Sequence, residues 1–287
     1  MSSTAATTTA PSATHRLDVD GAIGIVTVAY PPVNALSRSM RQAIIDGIAA
    51  AQAHPAVQAI VFICDGRTFL AGADITEFGK PPQAPSLFEV QNVIENSAKP
   101  VIAAIHGTSL CGLPEVHLGL RPGAGGTQRL PRIGGGPKAL EFITNGTHVP
   151  AQQCLEIGLV DAIVPEGQLR DGAVAFARQV LAEGRPLRKV RDADDKVLPA
   201  RGKPELFAEF RQANAKRFRG FLAPEYNIRC IEAAANLPFD EGQREERRLF
   251  MELVTGAQSI AQRYGFFAER MAQKIPDVPA DTPTVAV

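Results

Sequence analysis

The fold class of this 287-residue chain follows from one short stretch, Ala59-Ile60-Val61-Phe62-Ile63-Cys64. A continuous run of six apolar residues is typical of a strand that is buried on both faces. A second run of this kind, Val101–Ile105, lies further along the chain. Strands buried on both faces belong to parallel sheets covered by helices, so the two runs indicate an α/β protein.

Helical patterns flank the first apolar run. Before it, Ser37 is expected to cap a helix that continues to about Ala53, because apolar residues recur there at helical spacing. After it, Leu87–Asn96 predicts a second helix that leads to the second apolar run. This alternation of strands and helices predicts a parallel sheet with crossover helices.

The chain upstream of these elements predicts an antiparallel hairpin. Arg16–Asp20 and Ala22–Tyr30 alternate around the turn signal Asp20-Gly21. Pro31-Pro32 is expected to end the second strand, because proline cannot donate a hydrogen bond to a strand ladder.

The remainder of the chain is predicted to be mainly helical. The Gly/Pro-rich stretch 113–136 predicts a loop with short helices. The elements expected after it are helices at Pro137–Asn145, Ala151–Ile157, Gln168–Ala182, Pro204–Phe218, Pro224–Asn236 and Phe239–Ala268, and a strand at Leu159–Val164. By composition and pattern, the predicted parts are a disordered tail (1–14), an α/β core (15–184), a linker or flexible loop (185–203), a helical C-terminal region (204–275) and a linker-like tail (276–287).

Composition excludes several classes of partner. The 30 Lys and Arg residues balance the 30 Asp and Glu residues, which argues against a broad nucleic-acid or anionic-membrane surface. Four scattered cysteines without CxxC spacing are expected to be buried or semi-buried free thiols, and the five histidines form no ligand cluster, so we expect no metal. No signal peptide, membrane span or targeting signal is recognised, so the expected location is the cytoplasm.

Four features are candidates for chemistry. Glu115 is a lone carboxylate among apolar residues, where its charged form would be disfavoured; the alternative is a surface glutamate on a loop. Phe69–Ile75 follows a buried strand and is either a set of backbone donors or an ordinary loop. The glycine-rich stretch 122–128 lacks a nucleotide-binding motif and predicts a tight turn at a helix N-terminus. Ser109, near His106, lacks the GxSxG context of a hydrolase and is expected to be a loop or capping serine.

Five ordered motifs together resemble the crotonase (enoyl-CoA hydratase/isomerase) superfamily. They are Pro31–Leu36, Phe69–Ile75, Lys99–Gly107, Pro114–Gly119 and Pro122–Leu130. The resemblance covers roughly residues 15–255 and implies a crotonase-like ββα spiral core with an α-helical C-terminal region. Tyr264–Arg270 resembles the segment that joins such a domain to a dehydrogenase in multifunctional β-oxidation enzymes, and the chain stops where that dehydrogenase would begin.

The resemblance implies a coenzyme A thioester as substrate, with coenzyme A as part of the substrate and no separate cofactor. In this family two backbone amides hold the thioester oxygen, and Ala73 and Gly112 match their positions. Such preorganised donors contribute roughly 10²–10³ each in rate. Glu115 matches a glutamate that exchanges a proton with substrate carbon. The implied substrate-binding positions are Val33, Ala35, Ala71, Gly72, Asp74, Ile75, Gly107 and Pro114.

The chain departs from the family pattern at one place. Leu110-Cys111-Gly112 continues directly into Leu113-Pro114-Glu115, where the family has a further helix and strand. Hydratases of the family use two glutamates, and this chain keeps one. The sequence that follows Glu115 matches the sequence that follows the second of these glutamates. Counted forward from Gly107, however, Glu115 falls at the position of the first glutamate. We prefer the match to the second glutamate, because the matching sequence is longer. A general acid–base group contributes roughly 10²–10⁴ in rate, so loss of one glutamate is expected to slow hydration. Isomerisation needs only one carboxyl group. The ratio of isomerisation to hydration is therefore expected to be higher than in intact relatives.

Two functions remain open at this point. One is an enoyl-CoA hydratase/isomerase of fatty-acid β-oxidation, with the choice between hydration and isomerisation undecided. The other is a catalytically impaired, shortened relative that only binds acyl-CoA or serves as an assembly subunit. The resemblance also leaves two assemblies open, a homotrimer and a monomer packed on its own helical extension, and the retained extension favours the monomer.

Overall fold

A computed structural model describes residues 12–74, 77, 80–107 and 112–273. The chain starts with strands β1 (Thr14–Asp20) and β2 (Ile23–Ala29), followed by helix α1 (Arg38–Ala53), strand β3 (Ala59–Cys64), helix α2 (Leu87–Glu95) and strand β4 (Val101–Ala104). A 3-10 turn (Pro114–Leu118) precedes helices α3 (Gly126–Gly134), α4 (Gly136–Asn145), α5 (Ala151–Ile157) and α6 (Leu169–Ala182). Two further 3-10 turns (Val190–Asp192, Leu198–Ala200) lead to helices α7 (Pro204–Phe218), α8 (Ala223–Asn236), α9 (Phe239–Val254) and α10 (Ala257–Ala272).

These elements form two compact units. The first consists of Met1–Cys111 with Val149–Ala193, and the second of Gly112–His148 with Asp194–Val287. Each unit therefore takes two separate parts of the chain. The five linear parts predicted from the sequence stay predictions, and most of the two tails, like Ser109, lies outside the described residues.

The first unit is built on a four-stranded sheet with the order β1-β2-β3-β4. β1 and β2 are antiparallel, whereas β2 and β3, and β3 and β4, are parallel, as the sequence predicts. Every residue of β3 is buried. Ile60, Phe62 and Cys64 face the core that contains residues of α1 and α2, and the alternate residues of the strand face a second core with α6. Burial on both faces explains why this strand has no polar positions.

The second unit is helical and centres on α8. This helix packs against α3, α4, α7 and α9, and Ile228, Ile231 and Ala234 are fully buried or nearly so. Leu120, Ala223 and Leu253 form an additional apolar cluster. None of the helices that the structure describes contains an apolar stretch of the length needed to span a bilayer.

Two predicted elements are wrong. Leu159–Val164 is not a strand, because the backbone N–H groups of Leu159 and Val160 donate to the carbonyl oxygen of Cys154 and close the end of α5. These groups are therefore unavailable to a strand ladder. The single helix predicted at Phe239–Ala268 is two helices, because α9 ends at Val254, with Thr255 as its C-cap, and Gly256 has an extended conformation before α10 begins.

The cysteine prediction is confirmed for the residues that the structure describes. Cys64, Cys154 and Cys230 are buried and free. Burial raises the pKa of both Cys64 and Cys230 to about 12, so these thiols stay protonated at neutral pH. Cys111 lies outside the described residues.

Candidate active site

Asn34 organises the loops of the first unit that carry the predicted backbone donor. Its side chain is buried, accepts a hydrogen bond from the Tyr30 N–H (2.7 Å), and donates to the carbonyl oxygens of Asp65 and Thr68 (2.8 Å each). Its φ of 55° lies in the left-handed region, which asparagine tolerates better than most residues. One side chain thus joins the loop after β2 to the loop after β3.

The predicted donor Ala73 lies where these two loops pair. Leu36 and Ala73 form an isolated parallel bridge, and the Leu36 N–H donates to the Gly72 carbonyl oxygen at 2.8 Å. Gly72 has a φ of 96°, a conformation that favours glycine. Ala73 is exposed, and its N–H donates to no other described residue. The bridge fixes this peptide while leaving its N–H free for a ligand.

Most predicted substrate-binding positions of the first unit fall in the same loops. Val33 and Ala35 flank Asn34, and the Ala71 N–H donates to the Asn34 carbonyl oxygen at 3.3 Å. Gly107 pairs with Thr68, and a Cβ at Gly107 would lie 2.0 Å from the Arg67 carbonyl oxygen, so only glycine fits there. Asp74 follows Ala73 directly. Ile75 lies outside the described residues.

Glu115 lies in the second unit, on the 3-10 turn that begins with Pro114. Gly119 ends this turn in the left-handed conformation, and the Leu120 N–H donates to the Glu115 carbonyl oxygen at 3.0 Å. The Ser259 hydroxyl of α10 donates to the Leu118 carbonyl oxygen. Contacts from α10 therefore fix the position of the turn that carries Glu115.

The Glu115 carboxyl group is in an environment that suits proton transfer. The side chain is only partly exposed, and its Oε2 oxygen is enclosed without a hydrogen-bond partner in the described structure. Burial raises the pKa of Glu115, a backbone hydrogen bond lowers it, and the nearby Glu246 raises it while Arg121 lowers it. A carboxyl group with a raised pKa and a free oxygen holds a proton more tightly than an exposed glutamate and has an atom available to accept or donate it.

Gly112, the other predicted donor, also belongs to the second unit. A Cβ at Gly112 would lie 3.2 Å from both the Thr147 carbonyl oxygen and His148 Nδ1. The backbone of Gly112 therefore lies close to the segment that follows α4. Gly112, Pro114 and Glu115 are neighbours in one unit, whereas Ala73 and the other predicted positions belong to the other unit.

A cavity of about 280 Å³ borders the turn that carries Glu115. Val116 and His117 line one side of it, and Phe218, Phe221 and Pro224 contribute apolar surface. This volume is close to the lower end of the range for small-molecule sites, roughly 300 Å³. The apolar part of its lining suits a hydrocarbon group.

A buried polar network lies behind Glu115 and was not predicted from the sequence. Arg121 and Glu246 are completely buried, with 3.3 Å between Nη1 and Oε1. Glu246 also accepts hydrogen bonds from the Gly125 N–H (2.8 Å), the Thr127 N–H (3.2 Å) and the Thr127 hydroxyl. Glu246 thus caps the N-terminus of α3, the helix start predicted from the glycine-rich stretch, from a distant part of the chain.

Comparison with known proteins matches the chain to the family model of enoyl-CoA hydratase/isomerase over residues 18–112 and 108–208. The two matched segments meet at the place where the sequence indicates a missing helix and strand. Gly112 falls in both segments.

Several curated proteins are similar to the chain. The peroxisomal bifunctional enzyme of Danio rerio is 38% identical over 281 residues, which cover 89% of this chain and 38% of that protein. The fatty acid oxidation complex subunit alpha of Shewanella loihica is 31% identical over 292 residues, covering 89% of this chain and 41% of that protein. The chain therefore spans about two-fifths of the length of these relatives.

Solved structures show the same fold. The carnitinyl-CoA hydratase of Mycobacterium avium matches with a TM-score of 0.61 and 22% identity, and the match covers 91% of this chain and 97% of that one. This likeness supports the crotonase-like fold with its helical C-terminal region. Since the family model matches most of the chain, the chain belongs to the enoyl-CoA hydratase/isomerase family.

Proposed function

We propose that this chain binds enoyl-CoA thioesters and moves a proton on the substrate with Glu115 as acid and base. The observation that carries the proposal is the Glu115 carboxyl group itself, which combines a raised pKa with an enclosed, unpaired oxygen inside the part of the chain that matches the family. In this role the ionised carboxylate takes a proton from C2 of a 3-enoyl thioester, and the resulting acid returns a proton at C4. The net result is a double bond moved into conjugation with the thioester carbonyl, without loss or gain of atoms.

The backbone donors have a complementary role in the proposal. Removal of the C2 proton places negative charge on the thioester oxygen, and the exposed N–H of Ala73 is the proposed donor to that oxygen, with Gly112 as the second. The cavity beside Val116 is the proposed place of the acyl chain, and the loops around Asn34 and Ala71 are the proposed binding region for coenzyme A. Coenzyme A enters only as part of the substrate, so no further cofactor is required.

A kinetic comparison of two substrates tests this function. The purified chain is incubated with a 3-enoyl-CoA, to measure isomerisation, and with crotonyl-CoA, to measure hydration. Glu115→Gln is expected to lower isomerisation by roughly 10²–10⁴, because it removes the general acid–base group. The control is Glu209→Gln, which replaces an exposed glutamate on α7 and is expected to leave the rate unchanged.

The same assay separates the two reactions of the family. Because one carboxyl group is enough for isomerisation, the ratio of isomerisation to hydration is expected to exceed that of an intact relative measured alongside. Equal turnover by Glu115→Gln and the parent would rule out Glu115 as the proton carrier. A ratio that favours hydration would contradict the one-carboxylate mechanism.

A second candidate function is binding of acyl-CoA without turnover, or service as an assembly subunit. It is favoured by one observation, the division of the family match into two segments at residues 108–112. Calorimetry with butyryl-CoA, together with the assay above, distinguishes the candidates. Micromolar binding without turnover of either enoyl substrate would support this function, whereas clear turnover would exclude it. Light scattering of the same sample tests whether the assembly is a monomer or a trimer.

A further inference from the structure

In the buried pair Arg121–Glu246, the arginine has hydrogen-bond donors that it does not use. Glu246 is fully engaged by Arg121, two backbone N–H groups and the Thr127 hydroxyl. Arg121 donates through Nη1 to the Pro122 carbonyl oxygen and lies over the Phe250 ring, 5.1 Å from its centroid, but its Nε and Nη2 are enclosed without a hydrogen-bond partner. A completely buried guanidinium with two unpaired nitrogens is unusual, because each unpaired buried donor is costly.

The unpaired atoms of Arg121 have a counterpart in the same unit. Glu115 Oε2 is also enclosed and unpaired, and both Arg121 and Glu246 act electrostatically on Glu115. The cluster therefore contains one cation and two carboxyl groups. Arg121 holds Glu246 at 3.3 Å and forms no ion pair with Glu115.

We propose that Glu246 is a positioning residue that keeps Arg121 engaged and so leaves the Glu115 carboxyl group free to carry a proton. This inference rests on the proposed role of Glu115 and adds the group that preserves that role. If Glu246 lost its charge, Arg121 would have no counter-ion other than Glu115. Pairing with a guanidinium would then hold Glu115 in its ionised form.

Arg121 and Glu246 are the charged residues that determine the protonation of Glu115, as the elements packed around its turn show. On its own turn, His117 is exposed and lies against Gly146. From α10, Ser259 and Gln262 approach the turn and are uncharged, while Arg263 donates to the carbonyl oxygens of Ser259 and Val254. From α4, Thr144 and Asn145 line the neighbouring cavity and are uncharged. Arg217 of α7 also lines this cavity, but the charges that shift the pKa of Glu115 are those of Glu246 and Arg121.

Cys230 on α8 completes these surroundings. Burial raises its pKa to about 12, so this thiol is neutral in the working range. It does not compete with Glu246 as a counter-ion for Arg121.

A direct titration tests the inference without reference to turnover. The full chain is labelled with ¹³C at the glutamate carboxyl groups and titrated by NMR, and the Glu115 resonance is identified by its loss in Glu115→Gln. In Glu246→Gln, the proton affinity of Glu115 is expected to fall about tenfold or more. In Arg121→Gln it is expected to rise, because the cation that favours ionised Glu115 is gone. Glu209→Gln serves as the control and is expected to change nothing.

The double variant Arg121→Gln/Glu246→Gln separates positioning from stability. It lacks both charges, so the Glu115 titration is expected to return towards that of the parent chain. An unchanged Glu115 titration in folded Glu246→Gln would overturn the inference, as would a double variant that titrates like Glu246→Gln alone. If Glu246→Gln does not fold, Arg121→Gln decides by the direction of its change. If neither single variant folds, the double variant decides: a titration unlike that of the parent would overturn the inference, and a return to the parent value would support it.

Discussion

The first unit buries mainly aliphatic strand residues, whereas the second unit buries an arginine and a glutamate at its centre. In the first unit, β3 contributes six buried apolar residues to two cores. In the second, Arg121 is among the largest fully buried side chains and pairs with the equally buried Glu246. Apolar burial is non-directional and scales with area, but a buried charge must keep its partner. The two units should therefore respond differently when one side chain is changed.

The largest effect is expected from removal of one member of the buried pair. Glu246→Ala leaves Arg121 without a counter-ion and removes the acceptor for the first N–H groups of α3. The expected loss in the free energy of unfolding is about 3–5 kcal/mol, measured by urea denaturation. Arg248→Ala is the matched control, because it breaks an exposed ion-pair network on the same helix and should cost at most about 1 kcal/mol. Equal losses in the free energy of unfolding for the two variants would show that the buried pair contributes no more to stability than the exposed one.

The next largest effect is expected at Asn34, and it shows whether the stability of the first unit depends on a polar residue. Asn34→Ala removes three hydrogen bonds and places alanine at a φ of 55°, for an expected loss of about 2–4 kcal/mol. Asn34→Gly loses the same bonds but tolerates the conformation, so it is expected to lose about 1 kcal/mol less. The measurement is again urea denaturation. If alanine and glycine behave alike, the backbone conformation makes no contribution.

The sheet of the first unit was predictable because its signal is local. The apolar run at Ala59–Cys64, the Asp20-Gly21 turn and the Ser37 cap each show their structure within a few residues, and the structure confirms all three. Ser37 accepts a hydrogen bond from the Met40 N–H as expected of an N-cap. A buried parallel strand and a helix cap depend on few neighbours, so the sequence contains most of the information.

The errors arose where backbone hydrogen bonds override an apolar pattern. Leu159–Val164 has the composition of a strand, but its first N–H groups close the preceding helix after Gly158. The break between α9 and α10 had a signal that was overlooked, since Thr255-Gly256 is a weak point in a helix. These elements are decided by a glycine at a helix end rather than by hydrophobicity.

The polar network of the second unit could not be read from periodicity. Gly125 and Glu246 are separated by 121 positions, and no pattern in the sequence connects them. Asn34 belongs to the Pro31–Leu36 motif, but the sequence did not predict that its side chain joins two loops. Its position after Pro31-Pro32 was the available signal, because asparagine often adopts left-handed turn conformations. Long-range polar contacts become visible only after the fold has brought their residues together.

The smallest expected effect concerns the Glu115 carboxyl group of the second unit. The folded chain raises the pKa of this carboxyl group above its ordinary value of 4.5, mainly through burial. Its contribution to stability is therefore fully present below the ordinary value and is lost as pH rises through the raised pKa. Glu115→Gln stays neutral throughout, so its free energy of unfolding relative to the parent is expected to increase across that interval.

Urea denaturation of the parent and Glu115→Gln at a series of pH values from 4 upwards measures this change. Glu209→Gln is the control, because an exposed carboxyl group should give a difference that does not vary with pH in this way. A flat difference for Glu115→Gln would mean that Glu115 has the same proton affinity in the folded and unfolded chain. In that case the Glu115 site would be as well hydrated as the surface. The charge of Arg121 would then have no effect on the proton affinity of Glu115.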